Sequence, residues 1–165
     1  VRDRRIIWSP YDIIYNLNNG YVVECNYTVL LSDERNAPTI DVKETYEYDG
    51  KGNLTRITKP TSDYSEDGYS GDGKTLETYT FSWQNGNIDK ATLSTEEHVM
   101  EEHKISYTSH VNNIPLFFVD FHCSNVYLSW QGFFGKMCKN LPASDTCILY
   151  TGMELNSVTN TYTYS

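Results

Sequence analysis

Aromatic and polar residues alternate along much of this chain, and Asn-Gly or Asp-Gly steps interrupt the alternation. In Thr45-Tyr46-Glu47-Tyr48 the tyrosines stand two apart; the run meets Asp49-Gly50-Lys51-Gly52-Asn53 and resumes as Leu54-Thr55-Arg56-Ile57-Thr58. A period of two puts the rings on one face only if the backbone is extended. The Asp/Gly/Asn cluster supplies residues that tolerate positive φ, as a hairpin turn demands. The pattern predicts a β-hairpin over 44–58. A second copy follows, with Tyr79-Thr80-Phe81-Ser82-Trp83, the turn Gln84-Asn85-Gly86-Asn87, and the return Ile88 to Leu93. The two copies lie about 35 residues apart, a spacing found in internal repeats. Ile13 to Val23 repeats the theme around Asn19-Gly20, and Cys25, Tyr27, Val29 and Leu31 extend the same strand face. Thr159-Asn160-Thr161-Tyr162-Thr163-Tyr164 reads as the first strand of another unit whose turn is not reached, and Pro115 to Val119 as a short buried strand.

One stretch breaks the rhythm. Val126, Trp130, Phe133, Phe134 and Met137 fall at helical spacing, with Ser124 or Asn125 as a cap and Leu141-Pro142 as a stop. The spacing predicts a short helix over 125–139, although Gly132 and Gly135 each weaken it by about 1 kcal/mol relative to Ala. Residues 60–74 are acidic and Gly-rich without apolar periodicity, the pattern of a loop. The expected fold is mainly β. Consecutive hairpins form a large twisted antiparallel sheet, half-barrel-like with an aromatic interior, and the helix covers one face. A single domain over 1–165 accommodates it.

Charge narrows the partners. Twenty-two acidic and 13 basic residues give a net charge of −9, a field that repels phosphate backbones and argues against nucleic acid. No apolar run approaches the roughly 20 residues of a membrane-spanning helix. Cys25, Cys123, Cys138 and Cys147 form no C-x-x-C pair, so zinc and thioredoxin-like readings are weak. They allow two disulfides, with Cys138–Cys147 the favoured pair across a short Pro-containing turn, or four buried thiols. A first residue Val1, without Met or a leader, is what a processed export signal or a trimmed chain would leave. Fourteen tyrosines, many Asn and Thr and few Lys lean the same way, toward an extracytoplasmic protein.

Several blocks occur in a set order: Tyr46-x-Tyr48-Asp49-Gly50-x-Gly52-Asn53-Leu54-x-x-Ile57, Phe81-x-Trp83-x-Asn85-Gly86-Asn87-Ile88, Ile105-Ser106-Tyr107, Asn112-Asn113, Phe133-Phe134-Gly135-Lys136 and Lys139-Asn140-Leu141-Pro142. The first resembles the Tyr-Asp unit of tandem β-repeat surface proteins. The ordered set resembles a family of secreted, usually lipid-anchored proteins of gut Bacteroidetes, defined as a domain of unknown function. The resemblance covers about residues 10–165. It implies an extracytoplasmic β-sheet protein, in the periplasm or at the cell surface, that meets the membrane only through a removed N-terminal lipid anchor. Some relatives are labelled lipid-binding, and none brings catalytic residues. The closing Tyr-x-Tyr unit departs from the pattern in lacking its Asp-Gly turn.

No catalytic set, metal site or cofactor emerges from the residues. His98 and His103 are one residue too far apart for H-E-x-x-H and read as surface polar residues, as does the Glu101-Glu102 pair. His122 and Cys123 are strand neighbours that point to opposite faces. Asp63-x-Ser65-x-Asp67-Gly68 mimics the start of a calcium loop, but position twelve is Lys74, so a solvated loop is the reading. Serine lacks its G-x-S-x-G setting, and no phosphate-binding glycine motif follows a strand. Aromatic residues make up 14% of the chain. Tyr46, Tyr48, Tyr79, Phe81, Trp83 and Trp130 are the candidate ligand-binding residues, because such rings suit lipids, sugars and other amphipathic molecules. Filling a core is the commoner use of cross-strand aromatics. The leading function is a non-enzymatic exported binding protein that takes a lipid or similar small molecule in an aromatic concavity. The alternatives are a module or inhibitor that docks on another envelope protein, and a hydrolase with an unfamiliar site.

Overall fold

The computed structural model describes residues 14–30, 39–60, 63–65, 68–70, 75–96, 98–113, 130–151 and 154–162. The strands are β1 (Ile14–Asn18), β2 (Tyr21–Leu30), β3 (Thr39–Tyr48), β4 (Leu54–Pro60), β5 (Asp63–Ser65), β6 (Gly68–Ser70), β7 (Leu76–Gln84), β8 (Asn87–Thr95), β9 (His98–Val111), β10 (Asn140–Thr151) and β11 (Glu154–Thr161). Helix α1 (Trp130–Met137) precedes β10. Nine strands form one antiparallel sheet in the order β1-β2-β3-β4-β7-β8-β9-β10-β11, and β5 with β6 makes a separate small sheet. The expected sheet of consecutive hairpins is therefore present, with one short helix among the described residues.

The turns explain the register. Asn19 and Gly20 have φ of 52° and 84°, and Asn85 and Gly86 of 53° and 81°. Two successive residues in the left-handed region make the tight turn whose twist matches paired strands, and Asn-Gly adopts it at least cost. The turn from β3 to β4 is longer. The Asp49 carboxylate accepts the backbone N–H of Lys51 and of Asn53, at 2.8 and 2.9 Å. Gly52, at φ 84°, completes the reversal.

Packing divides the chain into two compact units, Val1–Thr78 with Thr95–Glu97, and Tyr79–Ser94 with His98–Ser165. In the first, Cys25, Val42, Tyr46, Leu54 and Ile57 are buried. Glu44 is buried with them and stands opposite Cys25 in the β2–β3 register. In the second, Phe81, Ile88, Ala91, Ile105, Phe133, Phe134 and Cys138 form the core. Helix α1 supplies Trp130, Phe133, Phe134 and Met137, at i, i+3, i+4 and i+7, so one stripe carries its bulky apolar residues. Its end is secured by the residue that follows β9: Asn112 Nδ2 donates to the carbonyls of Gly135 and Cys138, which the helix leaves without internal partners. Asn87 and Asn140 exchange a side-chain bond of 3.1 Å and an amide-to-side-chain bond of 2.9 Å beside it.

Several expectations change. Helix α1 is described over Trp130–Met137; residues 125–129 of the expected helix and its proposed cap lie outside the described residues, as do Pro115–Val119, His122 and Cys123. The 60–74 segment is not wholly loop, because Asp63, Tyr64 and Ser65 pair with Ser70, Tyr69 and Gly68. Thr159 to Thr161 belong to the return strand of the β10–β11 hairpin rather than opening a new unit. Cys138 and Cys147 are not bridged: both are free thiols, as is Cys25. The turn-like Pro142 lies inside β10, so the backbone between the two cysteines runs extended instead of folding back.

Both Asn-Gly turns force an L-residue substituted at glycine into the left-handed region, at about 1–2 kcal/mol. A Cβ at Gly86 would also lie 3.2 Å from Lys139 Cβ, whereas one at Gly20 meets nothing within 4 Å. Urea unfolding should rank Gly86→Ala below Gly20→Ala, and both below the parent. A parent-like midpoint for either would contradict these turns.

Candidate functional site

Each unit gathers polar and aromatic side chains in one place. In the first, the register that sets Glu24 opposite Thr45 carries on to bring Tyr21 alongside Tyr48. Their ring centroids are 5.0 Å apart at 46°, and Tyr48 Oη donates to the Val22 carbonyl at 2.8 Å. Burial, with Tyr21 beside it, pushes the Tyr48 phenol up to about 12, so it remains a neutral donor. Tyr21 lies over Gly52: a Cβ there would come within 2.5 Å of its Oη. Together these rings wall a groove of about 460 Å³, with Tyr46 and Val23 inside and Asn18, Asn19 and Asp49 along the rim. Tyr21 is 46% exposed, so its ring is open to a visitor. Asp49 is held below the usual carboxylate range by its hydrogen bonds from Asn53 and Lys51 and stays ionised. Glu47 also borders the groove but pairs with Arg56 at 3.4 Å.

The second unit buries a charged cluster. Strand alternation puts Glu101, His103, Ile105 and Tyr107 on one face of β9. His103 stands opposite Cys147 on β10, and Asp145 lies two residues before it. His103 Nδ1 is 2.7 and 2.9 Å from the two Asp145 oxygens. Its Nε2 is 3.4 Å from Glu101 Oε2 and 3.6 Å from Cys147 Sγ. Trp130, the first residue of α1, lays its ring 4.1 Å from the imidazole and donates Nε1–H to Glu101 at 3.1 Å. Tyr162 Oη donates to Asp145 at 3.2 Å. His103 is 2% exposed and Asp145 1%.

The distances run in the order thiol, imidazole, carboxylate, which is the spatial order of a cysteine nucleophile with its base. The protonation states run against that use. Burial alone would lower the His103 pKa, but the hydrogen bonds to Asp145 and Glu101 outweigh it and raise it. Burial, then the charges of Glu101 and Asp145, push the Cys147 thiol up to about 11. The charged imidazole is thus favoured more than in an ordinary histidine, and at neutral pH the sulfur is a neutral thiol. A thiolate would add a further negative charge where two carboxylates already share one cation. The cluster ties α1 to the sheet.

The six candidate ligand residues separate. Tyr46 and Tyr48 line the groove. Tyr79 packs on Trp130 at 5.7 Å and buried Phe81 on Phe133 at 4.9 Å, so these four rings seat the helix. Trp83 lies partly exposed on β7. The reading of His103 as a surface residue is corrected, because it is buried beneath α1, and Glu101 is a partner of both His103 and Trp130. Tyr21, Asn18 and Asn19 join the groove unforeseen; the signal was their place on either side of an Asn-Gly turn. Among the described residues no cluster suits a metal ion. The calcium-like side chains lie outside those described. Comparisons with protein-family models, curated proteins and solved structures match nothing to this chain. Fold and site define a β-sheet protein with an open aromatic groove and a buried ion cluster.

The cluster makes stability depend on pH in two directions. His103 has its pKa raised from 6.5, so its contribution is full below about 6.5 and is lost as pH rises through the higher folded value. Glu101 has its pKa lowered from 4.5 by the His103 bond, then by Trp130, against burial, so its contribution is full above about 4.5 and is lost on acidification. Removing one partner of a buried ion group costs about 3 kcal/mol. His103→Gln should therefore destabilise most between these limits, and the gap from the parent should narrow in alkaline urea titrations. A gap that is flat from pH 5 to 9 would contradict a held cation.

Proposed function

We propose that this protein is a non-enzymatic binding protein that takes a small amphipathic ligand in the groove of Tyr21, Tyr46 and Tyr48. The observation that carries the reading is the groove itself. At about 460 Å³ it falls within the range of small-molecule sites, and three tyrosines wall it with amides and a carboxylate at the rim. Tyrosine presents a broad apolar face with a polar edge, so such a wall accepts molecules of mixed character. The walls are set before any ligand arrives, because Tyr48 is tied to Val22 and Tyr21 rests on Gly52. Pre-set walls spare the ordering cost of binding. The raised thiol of Cys147, held neutral by burial and two nearby carboxyl groups, supports a non-catalytic role. Composition and the family resemblance favour an extracytoplasmic setting for this binding.

Octyl β-glucoside below its micellar concentration carries both a polar ring and an apolar tail. Titrated into protein with labelled tyrosine rings, it should shift the NMR signals of Tyr21 and Tyr48 saturably. Tyr21→Ala should weaken the effect at least tenfold. Gly52→Ala should weaken it too, because the added Cβ displaces the Tyr21 ring. Shifts that never saturate, or that appear only at Tyr79, would overturn the groove as the site.

A further inference from the structure

The lining of the groove also limits what enters it. We infer that the ligand is a neutral sugar ring, an inference that rests on the groove being the binding site. Among the described lining residues Val23 is the one aliphatic side chain, too little surface to cover an acyl chain. The remaining apolar surface is aromatic, and the tilted Tyr21–Tyr48 pair forms a shallow corner 5.0 Å between centroids. A flat C–H face of a pyranose fits against such rings, whereas a flexible tail needs an enclosing apolar wall. The rim supplies what hydroxyl groups require. Asn18 and Asn19 each bring an amide that both donates and accepts, and Asp49 brings a carboxylate that only accepts.

Charge then selects among sugars. Among the described residues the lining includes Glu47 and Asp49 but no Lys or Arg, and the chain as a whole carries −9. Arg56 is committed to Glu47 at 3.4 Å, while Asp49 is kept ionised by the N–H groups of its own turn. A ligand carboxylate or phosphate would meet this negative charge at the rim, with Lys51 of the same turn already engaged with Asp49. Fatty acids, phospholipid headgroups and acidic sugars are therefore disfavoured by the same residues that welcome a neutral ring.

The test takes the probe apart. Methyl β-glucoside, methyl β-galactoside, methyl α-mannoside and the methyl glycoside of N-acetylglucosamine are titrated separately against the labelled tyrosines, beside methyl β-glucuronide, octanoate and lysophosphatidylcholine below its micellar concentration. At least one neutral glycoside should shift Tyr21 and Tyr48 saturably, with Tyr21→Ala weakening it at least tenfold. The glucuronide should bind at least tenfold more weakly than the glucoside. If octanoate or the lysolipid saturates the two tyrosines and no glycoside does, the sugar class is overturned while the groove stands. If neither these probes nor octyl β-glucoside does so, the groove reading fails with it. Equal binding of glucoside and glucuronide would overturn the charge argument.

Discussion

Strand register is the constraint from which the rest of this structure follows. A shift of one residue in an antiparallel pair sends every side chain to the opposite face. Asn-Gly pairs that occupy the left-handed region together set the β1–β2 and β7–β8 corners, and the β1–β2 ladder takes up a one-residue shift between Asn16 and Leu17. In the β2–β3 and β9–β10 ladders, Cys25 faces Glu44 in one unit and His103 faces Cys147 in the other. The aromatic corner and the ion cluster are both products of that alignment. Tyr21 reaches Tyr48 only because the β1–β2 and β3–β4 turns end at the same edge of their strands.

The ion cluster shows how the same residue types acquire opposite chemistry from their neighbours. A histidine between a thiol and one carboxylate would draw a proton from sulfur. Adding Glu101 to the other side of the ring, with Trp130 stacked against it, favours the charged imidazole, and the same two carboxyl groups raise the Cys147 thiol. Burying such a group in place of apolar side chains brings little or no net stability, since desolvation offsets most of the attraction. What it supplies is position. Trp130 is bonded to Glu101 and stacked on His103, and Phe134, four residues on, meets the same imidazole edge-on at 6.2 Å. Helix α1 can therefore settle on the sheet in one orientation.

Sequence patterning revealed the hairpins because their cause is local: alternation and turn chemistry lie within about ten residues of each other. The helix was legible for the same reason, through Trp130, Phe133, Phe134 and Met137. The cluster was not. His103 and Asp145 are 42 positions apart in sequence, and only the β9–β10 register brings them together. Read alone, His98-Val-Met-Glu-Glu-His103 suggested a failed metal motif, when its informative feature was the strand alternation of Glu101 and His103. Half of the groove was legible, because Tyr46 and Tyr48 alternate visibly. Tyr21 was not, since its partner arrives from a turn some thirty residues later. The Cys138–Cys147 pairing failed because Pro142 was taken as a turn, whereas β10 carries it within a strand.

The aromatic groove and the helix anchor lie in separate units, and both depend on which residues face each other across the strands. Cross-strand backbone NOEs in uniformly labelled protein measure this most directly. The account predicts contacts between Cys25 and Glu44, between Thr45 and Thr58, and between His103 and Cys147. Contacts displaced by one residue at any of these pairs would move the groove or the cluster to the wrong face and contradict it.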